Sequence, residues 1–139
     1  MRQRMKGSIE YINPPGLVSN PAFSQGVAVT GPVKTVYVGA QNAVDGGRNI
    51  VGRGDIVAQT EQVLKNIGAC LEAAGAGPEH LISWNIYVME GQEVGAAAAA
   101  GMRWLGVRPH PPANNVVFVS RFGHPDFLVS IDAIAVVPL

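Results

Sequence analysis

Pro112-Ala113-Asn114-Asn115-Val116-Val117-Phe118-Val119, followed after a short polar loop by Phe127-Leu128-Val129-Ser130-Ile131-Asp132-Ala133-Ile134-Ala135, is the stretch that decides the fold. Both runs are rich in β-branched residues, which suit the pleated, half-buried surface of a sheet, so they read as two closing strands. A proline-rich connector, Arg108-Pro109-His110-Pro111-Pro112, leads into the first of them. On a strand, residues two apart share a face. Ser130 and Asp132 therefore point the same way, roughly 7 Å apart at about 3.3–3.4 Å per residue.

Upstream, Ala96 to Ala100 and Met102-Arg103-Trp104-Leu105 make a helix weakened by Gly95 and Gly101. Before it, His80 to Met89 alternates as a strand with Ile82, Trp84, Ile86 and Val88 on one face. From Ile56 to Ala74 the residues Ile56, Thr60, Val63, Ile67, Cys70 and Ala74 recur every three or four positions, an amphipathic helix with Gly75 in the stop position. Cys70 is expected to pack in that apolar stripe. Gly26-Val27-Ala28-Val29-Thr30 and Thr35-Val36-Tyr37-Val38-Gly39, divided by Gly31-Pro32, predict a hairpin. Residues 1–20, with Asn13-Pro14-Pro15-Gly16 and Asn20-Pro21, read as a turn-rich arm leading into a single domain that spans residues 1–139. The order ββαβαββ predicts an α+β domain, one mixed sheet with two helices on a single face. The other face carries Val and Ile and needs cover, which copies of the same chain supply most simply.

Composition narrows the classes. Of 139 residues, 47% are hydrophobic and 14% charged, enough apolar material for a core. Ten basic and ten acidic residues give zero formal charge, so there is no electrostatic footprint for nucleic acid or for an anionic membrane. The single Cys70 excludes an internal disulfide and a thiolate metal cluster. Met1 to Lys6 is basic without a following apolar region, and no long apolar run exists, which predicts no signal peptide and no membrane span. The expected location is the cytoplasm.

In order and at similar spacing, Pro21-Ala22-Phe23-Ser24-Gln25-Gly26, Tyr37-Val38-Gly39-Ala40-Gln41, the Gln59 to Gly75 helix, Trp84-Asn85-Ile86-Tyr87-Val88, Pro112-Ala113 and Ile131 to Ala135 resemble the landmarks of the YjgF/RidA family, also labelled endoribonuclease L-PSP, across roughly residues 12 to 137. The two closing strands resemble that family's closing hairpin. The resemblance implies a chorismate-mutase-like fold of the bacillus type, a homotrimer whose sheets form a central barrel, and small-ligand sites in the clefts between subunits. It also implies a hydrolase activity that needs no metal or cofactor, the deamination of reactive enamines and imines such as 2-aminoacrylate to keto acids and ammonia.

Two positions depart from the deaminase pattern. The family's arginine, which follows the Pro-Ala pair, is here Asn114, and the family's glutamate is here Ser130. A guanidinium holds a carboxylate through two charge-assisted hydrogen bonds. Asn114 keeps a donor without the charge or the fork; a hydrogen bond to a charged group contributes roughly 1.5–3 kcal/mol, so carboxylate binding is expected to weaken about tenfold to a hundredfold. A serine hydroxyl is no general base near neutral pH. Asp132 is the candidate for the missing carboxylate, with a structural hydrogen bond or ion pair as its simpler role. Arg108, His110 and Arg121 could bring positive charge to the cleft, or could be surface-loop residues. Phe23 matches a cleft position where many relatives have tyrosine, and Gly39 and Val116 are expected to contact ligand through backbone groups. His80, His110, His124 and Cys70 share no metal-ligand spacing, and Gly46-Gly47 and Gly52-Arg53-Gly54 read as turns because no Lys-Ser/Thr follows.

The catalytic candidates are thus Asn114, Ser130 and Asp132, and the substrate-binding candidates Phe23, Gly39, Asn114, Val116 and Ser130. Three functions are open: an imine-deaminase-type enzyme with altered substrate choice, a trimer that binds a small metabolite or a partner without chemistry, and an RNA-acting translation inhibitor. Zero net charge and the lack of a basic-aromatic stripe count against the third.

Overall fold

The computed structural model describes residues 5–139, so the first four residues of the basic Met1 to Lys6 stretch lie outside the described residues. The elements are β1 (Ser8–Ile12), β2 (Gly26–Thr30), β3 (Val33–Gln41), α1 (Ile56–Ala73), β4 (Leu81–Met89), α2 (Gly95–Leu105), β5 (Ala113–Val119) and β6 (Val129–Pro138). A 3₁₀ turn, Pro78–His80, leads into β4. From β2 onward the order is the expected ββαβαββ, and the α+β architecture is a four-stranded mixed sheet, β3-β6-β4-β5, with a separate two-stranded sheet of β1 and β2.

Strand β6 sits inside the sheet because Val129-Ser130-Ile131-Asp132-Ala133-Ile134-Ala135-Val136 is nearly continuous in apolar residues and buried along most of its length. It runs antiparallel to both β3 and β4. Strands β4 and β5 are parallel, Trp84 opposite Asn114 and Ile86 opposite Val116. A parallel pair needs a crossover, and α2 is that crossover. The two closing strands therefore do not form a hairpin: β4 lies between them. Gly31-Pro32 is no hairpin turn either. Strand β2 pairs with β1, and the bend passes the chain to the main sheet, where β3 takes β6 as its partner. Gly31, at φ +83°, is required there, since a Cβ would lie 2.7 Å from the Lys6 carbonyl oxygen. The supposed N-terminal arm contains a true strand, β1, whose Ser8 to Ile12 pair with Thr30 to Gly26.

Helix α1 starts at Asp55, whose carboxylate accepts from the Val57 and Ala58 amides at 3.1 Å each. It ends before Gly75, at φ +76°. Its buried stripe is Ile56, Gln59, Thr60, Val63, Leu64, Ile67 and Leu71. Full burial of each large aliphatic side chain in it contributes about 1.5–3 kcal/mol. Cys70 is exposed, contrary to expectation: after Ile67 the stripe steps four residues to Leu71, which turns Cys70 to the outer surface. The core between α1 and the sheet joins these residues to Leu81, Trp84, Val88, Val129, Ile131 and Ala133. Among the described residues no helix is long and apolar enough to cross a membrane.

Candidate functional site

Two of the sequence landmarks meet in space. The buried Ser24 donates its hydroxyl to the Pro111 carbonyl at 2.6 Å, and its amide donates to the Pro112 carbonyl at 3.2 Å. This tie, spanning 87 residues of sequence, sets the Pro21 to Ser24 segment beside the start of β5. There Ala22, Asn114 and Val116 line a cavity of about 260 Å³ that runs between α2 and the sheet. Trp84, Ile86 and Val88 of β4 and Val129 and Ile131 of β6 form its floor, and Val94, Ala97, Ala98, Gly101 and Met102 its other wall. Ile56 and Thr60 of α1 close one end. Phe23 is half-buried next to Ala22 in sequence.

The wall is almost wholly apolar. Thr60 spends its hydroxyl on the Ile56 carbonyl at 2.7 Å. Trp84 is 4% exposed, and its Nε1–H is buried without a hydrogen-bond partner among the described residues. Nothing ionisable lines the cavity.

Ser130 and Asp132 are elsewhere. Their neighbours Val129 and Ile131 face the cavity, so alternation turns Ser130 and Asp132 to the opposite face of the sheet. On that face Ser130 stands opposite Tyr87 and Asp132 opposite Asn85. A polar ladder crosses three strands there: Asn115 Nδ2 donates to Asn85 Oδ1 at 2.8 Å, and Asn85 Nδ2 donates to Asp132 Oδ1 at 2.9 Å. Within one subunit, then, Asn114 and Ser130 do not share a pocket. Gly39 lies farther off, exposed in the bulge of β3 between Val38 and Gln41. Strands β3 and β5 are the two edges of the sheet, separated by β6 and β4. At about 4.7–4.9 Å per strand, these edges stand roughly 14–15 Å apart.

The charged loop candidates have other work. Arg108 donates through Nε to His110 O at 2.7 Å, through Nη1 to Pro78 O at 3.0 Å, and through Nη2 to Tyr11 Oη at 2.8 Å and Leu81 O at 2.7 Å. His110 stacks on Tyr11 with ring centroids 5.0 Å apart. Arg108 is a staple between β1, the 3₁₀ turn and the connector rather than a free cation. Arg121 is exposed in the loop after β5. His80 accepts from the Gly77 amide at 2.9 Å and His124 from the Asp126 amide at 3.0 Å, so each histidine serves its own loop. In the loop before α1, the Asn49 backbone amide, followed by that of Gly47, holds the Asp45 carboxyl below its usual value.

Residue-type reasoning missed the α2 wall. The Ala96 to Ala100 run reads as close-packing helix, yet Ala97 and Ala98 line the cavity. A run of small residues facing a large aromatic was the available signal.

Residues 17–137 match the family model described as Endoribonuclease L-PSP. A RutC family protein of Synechocystis is 31% identical over 117 residues, covering 84% of this chain and 86% of that protein. A RutC family protein of Pyrococcus horikoshii is 33% identical over 100 residues, 72% of this chain and 77% of that protein. Among solved structures, YyfB of the conserved Rid protein family from Yersinia pestis superposes with a TM-score of 0.81 at 29% identity, covering 93% of this chain and 98% of that one. RidA from an Antarctic Psychrobacter superposes with a TM-score of 0.66 at 25% identity, covering 86% and 92%.

Proposed function

We propose, from the premise that this chain belongs to the endoribonuclease L-PSP (YjgF/RidA) family, that it works as a homotrimer binding a small metabolite in the clefts between subunits. The observation that carries this reading is the separation of Gly39 from Asn114 and Val116 on opposite edges of one sheet. A ligand touching all three needs the β5 edge of one subunit set against the β3 edge of the next. The open edges support the same assembly: Val116, Val117 and Phe118 on β5 are 52%, 43% and 52% exposed, and Tyr37 on β3 is 77% exposed. Apolar edge strands in water invite pairing with another chain.

In this reading Asn114 meets the ligand where the deaminases offer an arginine, and no general base lies in the cavity beside it. Binding with changed specificity fits that chemistry better than hydrolysis of 2-aminoacrylate. One observation favours a second reading, hydrolysis of a different enamine or imine: Asp132 keeps a carboxylate on the face that a trimer would close, positioned by Asn85.

Sedimentation tests the assembly. The expected mass is three times the 14.6 kDa chain, and a Val117→Lys, Phe118→Glu double variant should sediment as a monomer. A monodisperse wild-type monomer would sink the intersubunit reading.

A further inference from the structure

The cavity beneath α2 opens to the surface past the exposed Ala22, Ala98, Met102 and Val116, and its volume of about 260 Å³ is on the scale of a small-ligand site. At the inner end of the cavity α2 lies close on the indole of Trp84, where a Cβ added at Gly101 would reach van der Waals contact with Cη2 at 3.6 Å; towards the surface the short side chain of Ala98 leaves the cavity open.

The polar inventory of the wall restricts what can enter. Thr60 is committed within its own helix, and the Trp84 Nε1–H is a neutral donor with no partner among the described residues. Asn114 makes no side-chain hydrogen bond to the described residues, so its amide offers one acceptor and two donors. An ionised carboxylate entering here would shed its water and meet no counter-charge, which is strongly unfavourable. A neutral amide loses less water and finds in Asn114 a partner of matching donor and acceptor.

We infer that this cavity takes an uncharged ligand with an aliphatic body, seated against Ala98, Met102, Ile86 and Val116, and an amide-like head paired with Asn114. The inference rests on the reading of Asn114 and Val116 as ligand contacts and adds the chemical class of the ligand.

The test uses a matched pair, 4-methylpentanamide and 4-methylpentanoate, titrated into the full-length ¹⁵N-labelled protein while the Asn114 side-chain amide and the Trp84 indole N–H are followed. The amide should bind at least tenfold more tightly than the carboxylate and shift both signals. Gly101→Ala, which removes a methyl's worth of space and leaves the fold intact, should weaken amide binding at least threefold without lowering the melting temperature. Asn114→Arg should reverse the preference in favour of the carboxylate. If the carboxylate binds wild type as tightly as the amide while shifting Asn114, the ligand class is overturned and the site stands. Amide binding indifferent to Gly101→Ala removes the cavity from the account. If neither compound shifts Asn114 or Trp84 up to its solubility limit, the inference and the reading it rests on both fall.

Discussion

Replacing Arg108 with methionine keeps an unbranched side chain of similar reach and removes four hydrogen bonds at once. Hydrogen bonds from a charged donor contribute about 1.5–3 kcal/mol each in favourable cases. Four such values do not add, because one planar group makes all four and couples them. Arg108 is also only partly buried, so water replaces some of what is lost. The Leu81 carbonyl is the most costly to orphan, since Leu81 is fully buried. A total of about 2–4 kcal/mol follows, and at about 4 °C per kcal/mol for a domain of this size the melting temperature should fall by roughly 8–16 °C. Arg108→Lys should behave much like methionine, because one ammonium cannot span the four acceptors. Thermal unfolding followed by circular dichroism gives the shift. A change within about 2 °C for both variants would refute the staple, and lost anion binding at unchanged stability would return Arg108 to the cleft as a free cation.

Gln59 is fully buried and clamps two loops, donating to Gly52 O at 3.1 Å and Asp126 O at 2.8 Å while accepting from the Leu128 amide at 2.9 Å. Gln59→Leu leaves the Asp126 carbonyl and the Leu128 amide unpaired, the Gly52 carbonyl keeping the Asp55 amide at 2.9 Å, and should cost about 2–5 kcal/mol in chemical denaturation, with faster amide exchange at Leu128; a loss under about 1 kcal/mol would contradict the clamp. The Asp45 carboxyl, held down first by the Asn49 amide and then by that of Gly47, should titrate in the folded protein below the ordinary value of ~3.9. Its folded value lies below its unfolded one, so its stabilisation is present above the unfolded value and is lost as pH falls through the folded one. An NMR titration midpoint at or above ~3.9 would show that the Asn49 and Gly47 contacts do not persist in solution.

The local features that the sequence displays most clearly are those set by neighbouring residues. The recurrence of Ile56, Thr60, Val63 and Ile67 and the stop at Gly75 specify α1 within one segment, and the structure matches its bounds to within a residue or so, with Leu71 rather than Cys70 continuing the buried stripe. Strand existence was legible where β-branched runs mark β2, β3, β5 and β6, but not at β1, which reads as part of an arm. Pairing was not. Which strand lies beside which depends on α2 carrying the chain over β4 to make β5 parallel to it, and on β1 claiming β2. Neither fact is written in the turn residues, so Gly31-Pro32 looks like a hairpin turn and is a bend between sheets. The site divides the same way. Asn114 and Val116 are visible as departures and contacts on one strand, whereas the cavity they border is made by the absence of side chains on α2, which residue-type reasoning passes over. Alternation on β6 could have warned that Ser130 and Ile131 face different ways. Arg108 shows the limit of charge reading: a cation in a proline-rich connector looks available until its four acceptors, drawn from three parts of the chain, are seen around it.

On the proposed reading this chain keeps the family's fold and a ligand cavity, with Asn114 in place of the carboxylate clamp and Ser130 in place of the carboxylate at the water position. Hydrolysis of freshly generated 2-aminoacrylate, measured for wild type beside an Asn114→Arg, Ser130→Glu double variant, tests it most directly. Wild-type release of ammonia should be no faster than in buffer, with acceleration appearing in the double variant. Wild-type turnover equal to or above that of the double variant would contradict it.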